Sequence, residues 1–373
     1  MSIVGLIASY TIPFILILSV VVFVHEFGHY WVARRNRVRV EVFSIGFGPE
    51  LFGWYDSAGT RWKFSIVPLG GYVRMKGDED VTSSRADAAT ALDPDAFPAK
   101  TVWQRMAVVA AGPLANFLFA ILVLALLFSL VGRPFTPPVV GEVVPGSPAE
   151  AAGLMPGDRI LAVDGEPVES FEQLQLLVRE RPGEPLRFTI AREGRQIEIT
   201  IVPELRILED DFGEQRVGMI GVSRRGIEFK RSNPLLAPVE ATTETVRIIG
   251  GTLYALWEMV TGSRGTQELG GPLRIAQMSG EIANQGLLPA LWFTAILSIN
   301  LGLINLFPIP MLDGGHLLLY TIEAVRGRPL TERSQEIAFR LGLAMVLSLM
   351  LFATWNDLVN LKIFDFFSRL VSS

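Results

Sequence analysis

Val20-Val-Val-Phe-Val-His25-Glu26-Phe-Gly-His29-Tyr-Trp-Val-Ala-Arg34-Arg35 decides how this chain is read. Upstream of it, no charged side chain occurs between Met1 and Val24. Such a run forms an apolar helix suited to lipid, and the helix carries three ionisable groups near its end. On an α-helix His25 and His29 stand one turn apart on one face, so both imidazoles can reach one cation. Glu26 lies about 100° round from His25 and about 60° from His29, within reach of a water on that cation. Ionisable groups at membrane depth are costly and mark function by default. With three His in the whole chain, a chance H-E-x-x-H is on the order of one in a thousand from composition. The pattern points to metal-dependent peptide hydrolysis in or beside a bilayer.

Two plainer readings fit less well. Structural zinc usually takes four protein ligands, often thiolates, and the chain has no Cys. A secretory signal would carry a basic n-region and a small-residue cleavage site; residues 1–24 hold no basic n-region, and no small-residue cleavage site follows them.

Hydrophobic residues make up 50% of the chain and charged residues 19%, with mean hydropathy +0.38. That is apolar enough for membrane helices and charged enough for a sizeable aqueous part. A net charge of −5 gives no reason to expect nucleic acid. Four stretches match a hydrocarbon core about 30 Å thick: roughly 3–29, 106–131, 287–307 and 337–355. Arg34, Arg35, Arg37, Arg39, Lys100, Arg105, Arg326, Arg328 and Arg333 all flank the same side, which the positive-inside rule makes cytoplasmic. Both termini and the segment from about 132 to 285 are then expected outside, in the periplasm of a cell with an inner membrane.

Residues 40–45, 61–68 and 72–75 read as strands with turns at Gly46-Phe-Gly-Pro49 and Gly70-Gly71. The expectation is a hairpin whose edge can pair with an extended peptide. Residues 77–99 read as a mobile loop. Val139-Val-Gly-Glu-Val-Val-Pro-Gly-Ser-Pro-Ala-Glu-Ala-Ala-Gly-Leu-Met-Pro-Gly-Asp158 opens a segment that resembles a bacterial PDZ domain, with a helix near 170–181 and strands near 186–192 and 196–203. Such a domain takes a peptide as an added strand; simple steric bulk is the rival role. Residues 233–262 alternate apolar and charged positions, as in an amphipathic helix on a membrane surface.

A third metal ligand must come from elsewhere. The third span ends in Asn305-Leu-Phe-Pro-Ile-Pro-Met-Leu-Asp313-Gly-Gly-His316, where two prolines break the helix. Asp313 and His316 are three residues apart, share a helical face, and are rival ligands on the residues alone.

His25-Glu-Phe-Gly-His29 together with Asn305-x-x-Pro-x-Pro-x-Leu-Asp-Gly314 resembles the paired signature of site-2 proteases, the intramembrane zinc metalloproteases. Gly112-Pro-Leu-Ala-Asn-Phe117 and the inserted PDZ segment make it similar to their bacterial RseP type, which regulates the sigma-E stress response. The resemblance implies one Zn²⁺ on His25, His29 and Asp313, with Glu26 as the acid/base and His316 as a neighbour. It implies a membrane-associated β-hairpin at 61–76 and a substrate contact at Asn305; Asn116, Gly70, Gly71 and Tyr72 are further substrate-side candidates. One departure stands out: the best-known members carry two PDZ domains, and this chain has room for one. The expected fold is a polytopic α-helical membrane protein with four transmembrane helices, the hairpin and an inserted α+β PDZ domain. Its parts are residues 1–135 (two spans, motif and hairpin), 136–206 (PDZ), 207–285 (a following region with the amphipathic helix) and 286–373 (two spans with Leu-Asp-Gly). The implied substrate is a pre-trimmed single-span protein, such as a truncated anti-sigma factor or signal-peptide remnant. The bilayer and a PDZ peptide ligand are the other implied partners. Rivals from other classes are a PDZ-bearing scaffold with a vestigial metal site and a metal-ion transporter; the internal repeats of a transporter are not evident in the sequence.

Overall fold

The structure, a computed structural model, describes residues 3–77, 93–210, 213–226, 228–262 and 270–360. The chain forms two compact units, one from residues 1–125, 238–252 and 266–373, the other from residues 126–237 and 253–265.

The first unit opens with helix α1 (Ile3–Arg35), followed by strands β1 (Val40–Tyr55) and β2 (Arg61–Met75) and helix α2 (Val102–Leu130). The two long strands each bend at their glycines and pair more than once. Phe43 pairs with both Val73 and Trp62, and Ser44 with both Tyr72 and Lys63, while Phe52 pairs with Phe64 and Trp54 with Trp62. Four antiparallel runs result, in the order 50–55, 61–67, 40–47, 71–75. This corrects the expected hairpin at 61–76: its two arms are not neighbours, because run 40–47 lies between them. Gly46 (φ 92°) and Gly70 (φ 120°) supply the positive-φ corners. Tyr30 Oη donates to Asp56 Oδ2 at 2.7 Å, and Trp62 Nε1 donates to the same oxygen at 3.1 Å, tying the turn of the sheet to α1.

Of the expected mobile loop, residues 78–92 lie outside the described residues, but residues 93–99 are ordered. The Phe97 amide donates to Lys76 O at 2.9 Å. Its buried ring joins Ala33, Val38, Val40, Met75 and Val108 in one core cluster. The apolar payload of Phe97 outweighed the polar composition around it.

The second unit holds β3 (Arg133–Phe135), β4 (Val140–Val143), α3 (Pro148–Ala151), β5 (Arg159–Val163), β6 (Glu166–Pro167), α4 (Phe171–Arg179), β7 (Leu186–Arg192), β8 (Arg195–Ile201), β9 (Glu204–Asp210), β10 (Gly213–Met219), β11 (Val222–Arg224) and β12 (Glu228–Lys230). A four-stranded sheet runs β6-β5-β7-β8, and β4 pairs with β11, β3 with β12, and β9 with β10. Ser170 caps α4, accepting from the Gln173 amide at 3.2 Å. Leu174 and Val178 of that helix pack on Ile160, Phe188 and Ile190. The α+β layout expected of a PDZ-like domain is therefore present. Its expected end at residue 206 is too early, because Ile220 belongs to the same core and β11 pairs back to β4.

The chain then continues through α5 (Ala237–Thr261), α6 (Pro272–Asn284), α7 (Leu287–Asn305), α8 (Asp313–Arg326) and α9 (Glu332–Asn360). Among the described residues, four helices are long and apolar enough to cross a membrane: Ser9–Arg35, Val102–Leu130, Leu287–Asn305 and Arg333–Leu358. They coincide with the four spans read from the sequence. Arg105 of α2 pairs with Glu323 of α8 and lies 4.7 Å over the Tyr320 ring, which fixes α8 against α2. Asp357 of α9, 1% exposed, accepts the amides of Gly271, Leu273 and Arg274 at 2.8, 3.0 and 3.1 Å. It thereby caps α6 with a charge-assisted contact.

Replacing Asp357 by Ala leaves those three amides without their acceptor. Thermal unfolding of the detergent-solubilised protein should register a loss of about 2 kcal/mol; an unchanged midpoint would show the cap to be dispensable. In the second unit, burial pushes the Asp158 carboxyl up, but the Arg192 fork at 2.7 and 2.8 Å and the Met155 amide outweigh it and leave its pKa below the ordinary value. A carboxyl lowered in the folded state stabilises fully above the unfolded pKa, about 3.9, and loses that contribution as pH falls through the folded value. Amide protection in β5 and β7, corrected for the intrinsic exchange rate, should therefore fall below about pH 4, and Arg192→Ala should flatten this acid dependence.

Candidate metal centre

The i, i+4 spacing on α1 aims both imidazoles at one point, and the helix break after α7 aims a carboxylate at the same point. Pro308 and Pro310 end α7, and Met311 takes φ 89°, a strained conformation for a side-chain-bearing residue, costing about 1–3 kcal/mol. The chain then re-enters a helix with Asp313 as the first residue of α8.

His25 Nε2 lies 3.2 Å from His29 Nε2 and 3.1 Å from Asp313 Oδ2, and His29 Nε2 lies 3.5 Å from that same oxygen. Four donors at about 2.0–2.1 Å from a tetrahedral zinc would be about 3.3 Å apart; the three separations bracket that value. The chemistry of the trio also suits a cation. A carbonyl only accepts, so the 2.9 Å contact to Val108 O puts the His29 proton on Nδ1 and leaves a lone pair on Nε2. Asp313 Oδ2 is enclosed with no hydrogen-bond partner. Lone pairs converging in an apolar surrounding repel unless a positive charge sits among them. Among the described residues, His25, His29 and Asp313 form the one group of three or more such side chains able to hold a metal.

The rival ligand His316 points elsewhere, its ring 5.3 Å from Phe339 and 6.3 Å from Tyr320. Glu26 borders the trio, beside run 71–75 of the sheet. A Cβ on Gly71 would sit 3.4 Å from Glu26 Cγ, so this edge of the sheet abuts the carboxylate. Tyr72 turns toward Phe47, stacked at 6.1 Å, and Lys63. Gly70 is a corner residue against the Phe47 ring. Asn305 is the half-buried last residue of α7. Asn116 is fully buried, its amide 3.2 Å from His25 Nδ1; so enclosed, it has no surface to offer a substrate, contrary to expectation. Val108 O is a main-chain partner that no residue type announces, so sequence reading missed it.

Two glycines permit this packing. A Cβ at Gly28 would collide with the backbone of Ala111 and come within 2.7 Å of Ala115 Cβ. A Cβ at Gly112 would fall on the His29 ring and 2.8 Å from His25 Cε1. Close helix approach at small residues thus brings Val108 and Asn116 to the imidazoles.

The sequence model of Peptidase family M50 matches residues 13–349. An Agrobacterium fabrum protein named "Putative zinc metalloprotease" is 46% identical over 375 residues, covering 97% of this chain and 98% of that one. "Metalloprotease MmpA" of Caulobacter vibrioides is 40% identical over 388 residues, covering 96% of this chain and 98% of its own. A PDZ domain of a Listeria monocytogenes protein aligns with 25% of this chain and 93% of its own at 20% identity and TM-score 0.20. That score is too low to bear on the fold, and the strands and helix of the second unit carry the PDZ-like reading themselves.

Gly112→Ala should drive a methyl group into the two imidazoles. The expected outcome is at least about 10-fold weaker zinc binding with helix content retained, read by chelator competition and circular dichroism. Wild-type affinity would mean that α2 can retreat without disturbing the ligands.

Proposed function

The chain belongs to peptidase family M50 and is a zinc-dependent protease with membrane-crossing helices, and we propose that it cuts the transmembrane segment of single-span membrane proteins. The observation that carries this reading is the convergence of His25 Nε2, His29 Nε2 and Asp313 Oδ2, beside Glu26, within helices of membrane-spanning length. In this reading His25, His29 and Asp313 hold one zinc ion. Zinc there supplies Lewis-acid polarisation of the scissile carbonyl and a lowered pKa for the attacking water.

Glu26 does the proton work. Its carboxylate takes a proton from the attacking water and returns it to the leaving amide nitrogen. A helical substrate hides its peptide bonds and must be extended before attack. Run 71–75 is an outer strand of the sheet and abuts Glu26, so a substrate strand added along it would satisfy its freed backbone groups and run past the carboxylate. Run 61–67 is paired on both sides and offers no such edge. Asn305 is retained as a substrate-backbone contact.

The finer reading follows the resemblance. The substrate is an already trimmed single-span protein of the anti-sigma-factor kind or a signal-peptide remnant, in regulated intramembrane proteolysis of the sigma-E type. The basic flanks place the metal site toward the cytoplasmic face of an inner membrane, with the PDZ-like unit and both termini in the periplasm. In that unit β11 pairs only with β4 among the described strands, which leaves one edge open for a peptide ligand.

Glu26→Gln tests this reading with a reconstituted single-span reporter. The variant should retain zinc and lose cleavage by about 10²–10⁴-fold, and wild-type cuts should fall within the span. Equal cleavage by both proteins, or cuts confined to the reporter's soluble parts, would overturn it and favour a scaffold.

A further inference from the structure

The most informative buried group that the reaction does not itself use is Asn116. Its side chain is 0% exposed. Ser298 Oγ donates to its main-chain carbonyl at 3.0 Å, and a Cβ on Gly302 of α7 would lie 3.3 Å from its Cβ. Pinned from both sides, it meets His25 at Nδ1, the ring nitrogen turned away from His29 and Asp313. As placed, Nδ2 is the near atom, and Oδ1 is buried with no hydrogen-bond partner.

That orientation is chemically inconsistent with a metal on His25. An amide nitrogen only donates, so His25 Nδ1 would have to accept and the ring proton would sit on Nε2. The Nε2 lone pair would then be gone from the one position where it converges with His29 and Asp313. A half-turn of the carboxamide exchanges O and N with almost no change in shape. The turn leaves Nδ2 in place of Oδ1 as the amide atom without a partner, so the position of the His25 proton decides between the two. Resting on the metal-centre reading above, we infer that Asn116 Oδ1 accepts a hydrogen bond from His25 Nδ1–H and so fixes the tautomer whose Nε2 can bind zinc. Asn116 is then a positioning residue, acting on His25 as Val108 O acts on His29. Metal-bound imidazoles generally donate their other nitrogen in this way, and losing such a partner weakens metal binding 10–100-fold.

Donor and acceptor roles separate cleanly by substitution. Asn116→Asp keeps two acceptor oxygens and removes the donor; Asn116→Leu keeps the approximate volume and removes both. Zinc affinity of the full chain in detergent, measured by chelator competition, should fall about 10–100-fold in the Leu variant and stay within about 3-fold of wild type in the Asp variant. In the zinc-free wild type, where both tautomers are open, ¹⁵N spectra of the three histidines should show His25 protonated at Nδ1, a readout independent of whether the Leu variant folds. Three results overturn the inference: zinc binding by Leu equal to wild type, a loss in Asp as large as in Leu, or a His25 proton on Nε2. A wild type that takes up no zinc overturns the metal centre and this assignment together. A zinc-replete wild type with an unaffected Leu variant overturns this assignment alone.

Discussion

Three lone pairs aimed at one point inside an apolar helix bundle set the terms for the rest of the first unit. The Val108 carbonyl accepts from His29 Nδ1, and Asp313 Oδ2 lies 3.1 and 3.5 Å from the two imidazole Nε2 atoms, an arrangement that a cation among them relieves. Every neighbouring element is placed to make that convergence hold. Gly28 and Gly112 let α1 and α2 approach until backbone and imidazole touch. The double-proline break strains Met311 and delivers Asp313 at the head of a new helix. Arg105 and Glu323 then keep α8 from turning away.

The sheet solves a different problem for the same site. Run 71–75, an outer strand, lays a row of main-chain groups beside Glu26. Folding β1 and β2 back on themselves pairs run 61–67 on both sides and leaves run 71–75 at the margin. Tyr30, Asp56 and Trp62 keep the sheet registered against the helix that carries the histidines.

Much of this was legible in the residues because the signals were local. Helical spacing alone pairs His25 with His29, and long apolar runs poor in charge mark the four long helices. Asp313 was not separable from His316 by spacing, since both sit on one helical face; the resemblance chose Asp313, and the structure turns His316 toward Phe339. Asn116 was visible as a polar residue in an apolar helix, but which side of His25 it meets depends on how α2 crosses α1. The sheet was misread as a hairpin because turn residues reveal where a strand ends and not which strand lies beside it. Phe97 was hidden in a polar stretch, although one buried aromatic ring suffices to order its neighbours.

The contacts that complete the site also fix when it can exist during biosynthesis. His29 meets its partner 79 positions later in the chain and His25 meets Asn116 91 positions later, and Asp313 follows only after the entire second unit. A nascent α1 therefore enters the bilayer with two imidazoles and a carboxylate that have no company, and α2 must be inserted before they are shielded. The donor set closes only when α8 has left the ribosome. On the proposed ligand set, metal loading would follow insertion, and a chain ending before α8 would carry the motif without Asp313.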